Sequence, residues 1–274
     1  MKKILANVSQ ELPRIGMSVC ALSLLLLQSG ISTATPINRG TFMGTTVTYV
    51  DVIEDSVTDP GLVVAGPLGG LFGVPTIAGD ALDFNPKNFA ATASGGSVDQ
   101  TDGNLQFMVV AKPGNAIGSI AFTERGDTAL SGLSGEAFTS VTNQIFVEIN
   151  EVNGLPVDIN LPATAMTFTP SGGTYLLSVD GMGNPSYTTD WLGNAFIDIG
   201  PFLPVGSFAT KVSVSLDNRL IALSQAGTTA FIQKKDFDGV TITVETNDIP
   251  EPATWLLTLV ALSGCGVTRS RRLS

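Results

Sequence analysis

Between residues 41 and 246 apolar and polar side chains alternate one for one through several runs, the period of strands that bury one face and wet the other. In residues 140–150, Val141, Ile145, Val147 and Ile149 share one face, while Thr142, Gln144, Glu148 and Asn150 take the other. Val212, Val214 and Leu216 repeat the pattern, as do Val240, Ile242 and Val244. Turn-forming residues stand at Asp102-Gly103-Asn104, Pro113-Gly114-Asn115, Asn153-Gly154, Asp217-Asn218, Ala226-Gly227 and Asp238-Gly239, where they supply left-handed backbone at little cost. From residue 211 onward the pattern predicts strands joined as successive hairpins at the last three of these turns. Helical periodicity with caps is absent between residues 35 and 248. The expectation is an all-β fold of roughly a dozen short strands, a single antiparallel β-sandwich of jelly-roll-like form over residues 35–247. Residues 59–79 are rich in Gly and Pro and read as a long loop over one end, packed down by Leu68, Leu71 and Phe72.

The two ends carry different patterns. Lys2, Lys3 and Arg14 precede an apolar run at residues 19–27, which is followed by Ser32-Thr33-Ala34. That run is shorter than the roughly 20 residues a spanning helix needs, and small residues occupy the places a signal peptidase accepts. Residues 1–34 therefore read as a signal peptide cleaved after Ala34. Cys20 is not placed for lipidation, because β-branched Val19 precedes it and most of the apolar run follows it.

Residues 248–274 begin Asp248-Ile249-Pro250-Glu251-Pro252, continue through an apolar stretch at residues 255–267 that opens on Trp255, and end with Arg269-Ser270-Arg271-Arg272. The prolines end a strand and keep the backbone extended, the apolar stretch suits a short transmembrane helix, and arginines hold its far end on the cytoplasmic side. This three-part order resembles the PEP-CTERM sorting signal of exported bacterial proteins, over about the last 25 residues. The resemblance implies that an exosortase, a membrane transpeptidase-like enzyme, recognises Pro250, Glu251 and Pro252, and that Arg269, Arg271 and Arg272 form the cytoplasmic retention signal. It implies passage through the secretion machinery and signal peptidase, transient anchoring in the inner membrane, and a final place at the cell surface or in the extracellular matrix of a Gram-negative-type bacterium. Two departures stand out: the apolar span falls short of the roughly 20 residues of a perpendicular helix, and Ser270 interrupts the arginines.

Charge sharpens this picture. The net charge is −10, and Lys2, Lys3, Arg14, Arg269, Arg271 and Arg272 all lie in the terminal segments, so the domain between them is more acidic still. Its one adjacent basic pair is Lys234-Lys235, too little to neutralise phosphates, which excludes nucleic acid as a partner. Cys20 and Cys265 also sit in the terminal stretches, so no disulfide holds the domain; its core is large enough to do without one.

Exclusions dominate the chemistry. There is no histidine, which removes Ser-His-Asp machinery and His-ligated zinc, and no nucleotide-cradling glycine loop. Gly132-Leu133-Ser134-Gly135-Glu136 is one glycine short of a nucleophile elbow. No cofactor is expected: Asp99, Asp102 and Asn104 offer the oxygen ligands that Ca²⁺ takes, but a polar hairpin is the more frequent use of the same residues. Tyr187, Asp190 and Trp191, read as part of a loop between Gly183 and Gly193, could form a flat glycan platform or could plug the core. The leading expectation is a non-enzymatic exported surface or matrix protein of the envelope, biofilm or exopolysaccharide. The alternatives are a carbohydrate-binding module built on Trp191 and Tyr187, which would take extracellular polysaccharide, and a carboxylate-based glycoside hydrolase.

Overall fold

The computed structural model describes residues 36–59, 70–179, 186–235 and 237–249. In chain order the strands are β1 (Ile37–Met43), β2 (Val47–Asp59), β3 (Thr76–Ala78), β4 (Ala81–Phe84), β5 (Ala90–Ser94), β6 (Val98–Ala111), β7 (Asn115–Gly132) and β8 (Gly135–Val152). They continue with β9 (Leu155–Asn160), β10 (Thr164–Ala165), β11 (Thr167–Thr169), β12 (Thr174–Val179), β13 (Ser186–Asp198), β14 (Ala209–Ser224), β15 (Thr228–Lys234) and β16 (Val240–Asp248). Two single 3₁₀ turns are the other regular elements among the described residues. The chain is all-β, and every strand pairing is antiparallel.

Hydrogen bonds join these strands into a nearly closed sheet with two halves. One half runs β1-β2-β6-β14-β8, with β9, β10 and β12 along the free edge of β8. The other is built on β7, with β13 along one edge and β16 and β15 placed end to end along the other; β4 then pairs with β16 and β5 with β15. Among the described residues the halves share one ladder pair, Ala209 with Ile117. They are also continuous through the turns β5–β6, β7–β8 and β14–β15, each of which carries the chain from one half to the other. Backbone bonds knit these turns into one corner: Leu133 N–H to Gly227 O, 2.9 Å; Gln225 N–H to Glu136 O, 2.9 Å; Ser224 N–H to Ser97 O, 3.0 Å.

The expected faces are present: Val141, Ile145, Val147 and Ile149 are buried, as are Val212, Val214, Leu216, Val240, Ile242 and Val244. Four turn expectations need correction. Ala226-Gly227 is a turn but not a hairpin, since it joins β14 to β15, which pair with other strands and not with each other. Asp102-Gly103-Asn104 lies in the middle of β6, and Asp217-Asn218 lies in the middle of β14, paired with it in register. Asp238-Gly239 closes a short excursion between β15 and β16, which run in line on β7 instead of folding back as a hairpin. Part of the expected loop at residues 59–79 also forms β3, though Leu71 and Phe72 are buried as anticipated and Leu68 lies outside the described residues.

Glu54 fixes that segment. Its carboxylate pairs with Arg39 at 2.8 Å and accepts the backbone N–H groups of Leu71 and Phe72, all out of water. Phe72 then meets Phe84 and Phe89 edge-on, at ring-centre distances of 5.9 and 5.1 Å.

Ala34, the Pro250-Glu251-Pro252 motif, the apolar stretch and Arg269, Arg271 and Arg272 all lie outside the described residues. Among the described residues no helix is long and apolar enough to cross a membrane.

Two glycines are set by close approach of a buried ring, Gly126 by its ladder partner Trp191 and Gly103 by Phe89 from the other half. A Cβ at Gly126 would lie 1.9 Å from Cζ2 of Trp191, and one at Gly103 would lie 2.5 Å from Cε2 of Phe89. Gly126→Ala is therefore expected to lower unfolding free energy by at least ~2 kcal/mol, at the upper end of overpacking costs, because Trp191 is ringed by other buried groups. Urea denaturation of the variant checks it; a stability equal to wild type would show that the ring can retreat.

Candidate functional site

Tyr187, Asp190 and Trp191 belong to β13, a strand that pairs with β7 along its whole length, and not to a loop. Strand alternation sends Tyr187 and Trp191 inward and Asp190 outward. Trp191 is 2% exposed and packs edge-on against Phe168 at 5.8 Å, while Tyr187 lies 6.3 Å from Tyr175. Burial, followed by the neighbouring Tyr187, pushes the Tyr175 hydroxyl up to about 12. The three residues therefore form no open platform: Trp191 fills the core opposite Gly126.

Asp99, Asp102 and Asn104 are also separated by alternation, since Asp99 lies on the opposite face of β6 from the other two. Asp99 accepts the Thr92 N–H at 2.7 Å, Asp102 pairs with Arg219 at 3.2 Å, and Asn104 accepts from Gln106 at 2.7 Å. They do not converge on a cation. Among the described residues no three Asp, Glu, His or Cys side chains gather in metal-binding geometry.

On the outer surface Lys235 bridges Asp127 at 2.9 Å and Asp190 at 3.0 Å. Hydrogen bonds to Asp127 first and Asp190 second hold the Lys235 amine above its ordinary range. Asp190 is exposed, so solvent screens this contact and it contributes little to stability. A cleft of about 660 Å³ beside it is lined by Arg125, Pro170, Asp190, Lys235 and Phe237.

The most unusual chemistry lies inside, one residue away. Lys234 ends β15 with its side chain fully buried, and its Nζ donates to Glu124 Oε2 at 2.5 Å and to Asn218 Oδ1 at 2.9 Å. The other Glu124 oxygen accepts from Asn143 Nδ2 at 2.8 Å. Phe89 and Trp191 close the site, with ring centres 5.0 and 5.6 Å from Nζ. Burial pulls the Lys234 amine below its ordinary range, and the Glu124 charge opposes that shift without reversing it. Because an ammonium or amine N–H donates here, the Asn218 carboxamide must present oxygen to it; Asn218 Nδ2 is left buried without a partner among the described residues.

The register assembles this cluster. Asn143, Asn218 and Gly103 form one row across β8, β14 and β6, on the inner face of one half of the sheet. Glu124 on β7 and Lys234 on β15 face them from the other half, and Phe89 enters over Gly103. Thr128 and Thr139 add a further bond between the halves at 2.6 Å.

Sequence reasoning missed all four polar members. The signal is a polar residue standing in the apolar register: Glu124 after Ile120 and Phe122, Asn143 between Val141 and Ile145, Asn218 between Leu216 and Leu220, and Lys234 after Ala230 and Ile232.

No family model matches this chain, and no curated protein does. Among solved structures, TmCBM61 in complex with beta-1,4-galactotriose aligns at 12% identity over 70% of this chain and 88% of that one, with a TM-score of 0.17. A proposed sugar binding protein from Bacteroides thetaiotaomicron VPI-5482 aligns at 12% identity over 62% and 90%, with a TM-score of 0.16. The enzymatically active domain of bacteriophage CBA120 tailspike protein 4 aligns at 10% identity over 79% and 20%, also at 0.16. At these scores the likenesses carry no weight for function.

Trp191→Ala is expected to cost about 3–5 kcal/mol in urea denaturation, the range for truncating a large buried aromatic. A binding-surface tryptophan would instead leave stability unchanged, so an unaltered denaturation midpoint would restore the platform.

Proposed function

We propose that this chain is an exported protein of the PEP-CTERM type, whose jelly-roll-like β-sandwich is delivered by an exosortase to the cell surface or extracellular matrix and acts there without catalysis. The observation that supports this is the order of sequence elements after the last described strand: Pro250-Glu251-Pro252, an apolar stretch at residues 255–267, then Arg269, Arg271 and Arg272. β16 pairs with β7 through Asp248, Ile249 N–H bonds to Gly114 O at 2.9 Å, and the next residue is Pro250. The last described ladder bond is thus followed at once by a residue with no N–H to extend the ladder.

In an exosortase-bearing host, the mature surface form should lack Arg269, Arg271 and Arg272, and deletion of the exosortase should leave the full tail in the membrane fraction. Intact mass and a C-terminal epitope read this directly. Surface-exposed mature chains that retain the arginines would overturn the sorting assignment.

A second reading, carbohydrate binding, is favoured by one observation away from Trp191. On the outer face of β8, β14 and β6, Phe146 is 46% exposed and lies in register with Ser215 and Gln106, next to Glu148 and Ser213. These residues line a groove of about 340 Å³ that also includes Asp51 and Asn160 and no basic side chain. A ring set among hydroxyls, amides and carboxylates suits a neutral sugar face. Phe146→Ala should weaken neutral-glycan binding at least about tenfold, roughly 1.4 kcal/mol, with the fold retained because the ring is half outside. Affinity electrophoresis on neutral polysaccharides measures it, and no binding by the wild-type chain would remove this reading.

A further inference from the structure

The Lys234 site has the components of a reaction as well as those of an ion pair. A buried amine touches both a carboxylate and the carbonyl oxygen of a carboxamide, under two aromatic rings that exclude water. We infer that Lys234 and Asn218 condense, with Glu124 carrying the proton, into an isopeptide bond that ties β15 to β14 across the two halves of the sheet. This stands apart from the sorting assignment and requires only that the domain folds.

The steps balance without an oxidant or cofactor. In the ion pair the Lys234 ammonium gives one proton to Glu124 across their hydrogen bond, which leaves a neutral amine with a free electron pair. That pair forms a bond to Cγ of Asn218, the carbon carrying the oxygen that Nζ already contacts. A second Nζ proton passes through Glu124 to Nδ2, the Cγ–Nδ2 bond breaks, and ammonia leaves. The products are a secondary amide, ammonia and a protonated Glu124; nothing is oxidised or reduced.

Three observations favour reaction over a static pair. Desolvation disfavours the ammonium, so the nucleophilic form of Lys234 is accessible. The leaving nitrogen, Asn218 Nδ2, is the atom of the carboxamide without a partner, so its departure breaks no hydrogen bond among the described residues. Bringing the reacting groups into contact within a rigid core also removes most of the entropic cost of a bimolecular step. Asn143 acts as a positioning residue, since it holds the other Glu124 oxygen. The second buried pair, Arg39 with Glu54, offers a contrast: its cation is a guanidinium and not an amine, and its carboxylate is occupied by backbone N–H groups.

The test is peptide mapping of the folded full chain, as produced by its host, after denaturation and trypsin. An amide on Lys234 blocks cleavage there, so residues 212–219 should appear joined to residues 220–235, one ammonia lighter than the two peptides summed. Glu124→Gln keeps the shape of the side chain and should give unlinked peptides, with cleavage after Lys234 restored. Asn218→Asp should link by losing water and yield the same joined product as wild type, which guards against a Glu124 variant that merely misfolds. Folded wild-type protein that yields peptide 220–234 free, with an intact Asn218 amide, would overturn the inference. A folded Glu124→Gln chain that still links would remove Glu124 from the step.

Discussion

An amine sealed from water between two halves of a sheet is the constraint around which the described structure is arranged. An isolated ammonium in such a place costs many kcal/mol, so Lys234 must have Glu124, and the spare oxygen of Glu124 must have Asn143. Those partners come from β7 and β8, and Asn218 from β14, so the cluster is complete only when two separate ladders, β8–β14 and β7–β15, are in register. A one-residue slip of β14 would turn Asn218 outward and bring Asp217 or Arg219 inward, and Arg219 would oppose Lys234 with a like charge. Gly103 and Gly126 serve the same site indirectly, by admitting the Phe89 and Trp191 rings that shut out solvent.

The strands themselves were legible because alternation is a local property: Val141, Ile145, Val147 and Ile149, or Val240, Ile242 and Val244, declare their face without reference to anything distant. Where sequence reasoning failed, it failed at Gly103 and Asn218, residues whose types favour turns. Their presence in mid-strand has a tertiary cause: one must be small to admit Phe89, and the other must be polar to meet Lys234. Neither reason exists until β5 and β15 are packed over β6 and β14. Trp191 was misplaced on the same ground, since only the Cβ-free surface of Gly126 on β7 makes room for an indole there. Asp99, Asp102 and Asn104 looked like a ligand set because nearness in sequence was taken for convergence, whereas a strand sends neighbours to opposite faces.

The ends and the middle of this chain answer different questions. The proposed address is written in short linear elements that any processing enzyme can read in an extended chain, such as Pro250-Glu251-Pro252, and it needs no fold. The chemistry inside the domain is the reverse: Glu124 lies far in sequence from Asn218 and Lys234, and the three mean nothing until they are folded together. A domain with no cysteine of its own has every reason to concentrate its internal bonding at one such place.

The edges of β7 carry a consequence for how the molecule comes into being. This strand is made before the chain reaches its midpoint, yet β13, β15 and β16, which occupy both its flanks, lie in the final third. A nascent chain emerging amino end first therefore leaves β7 without a partner on either edge until β13 has appeared. Such a polypeptide has a built-in delay before its two halves can close.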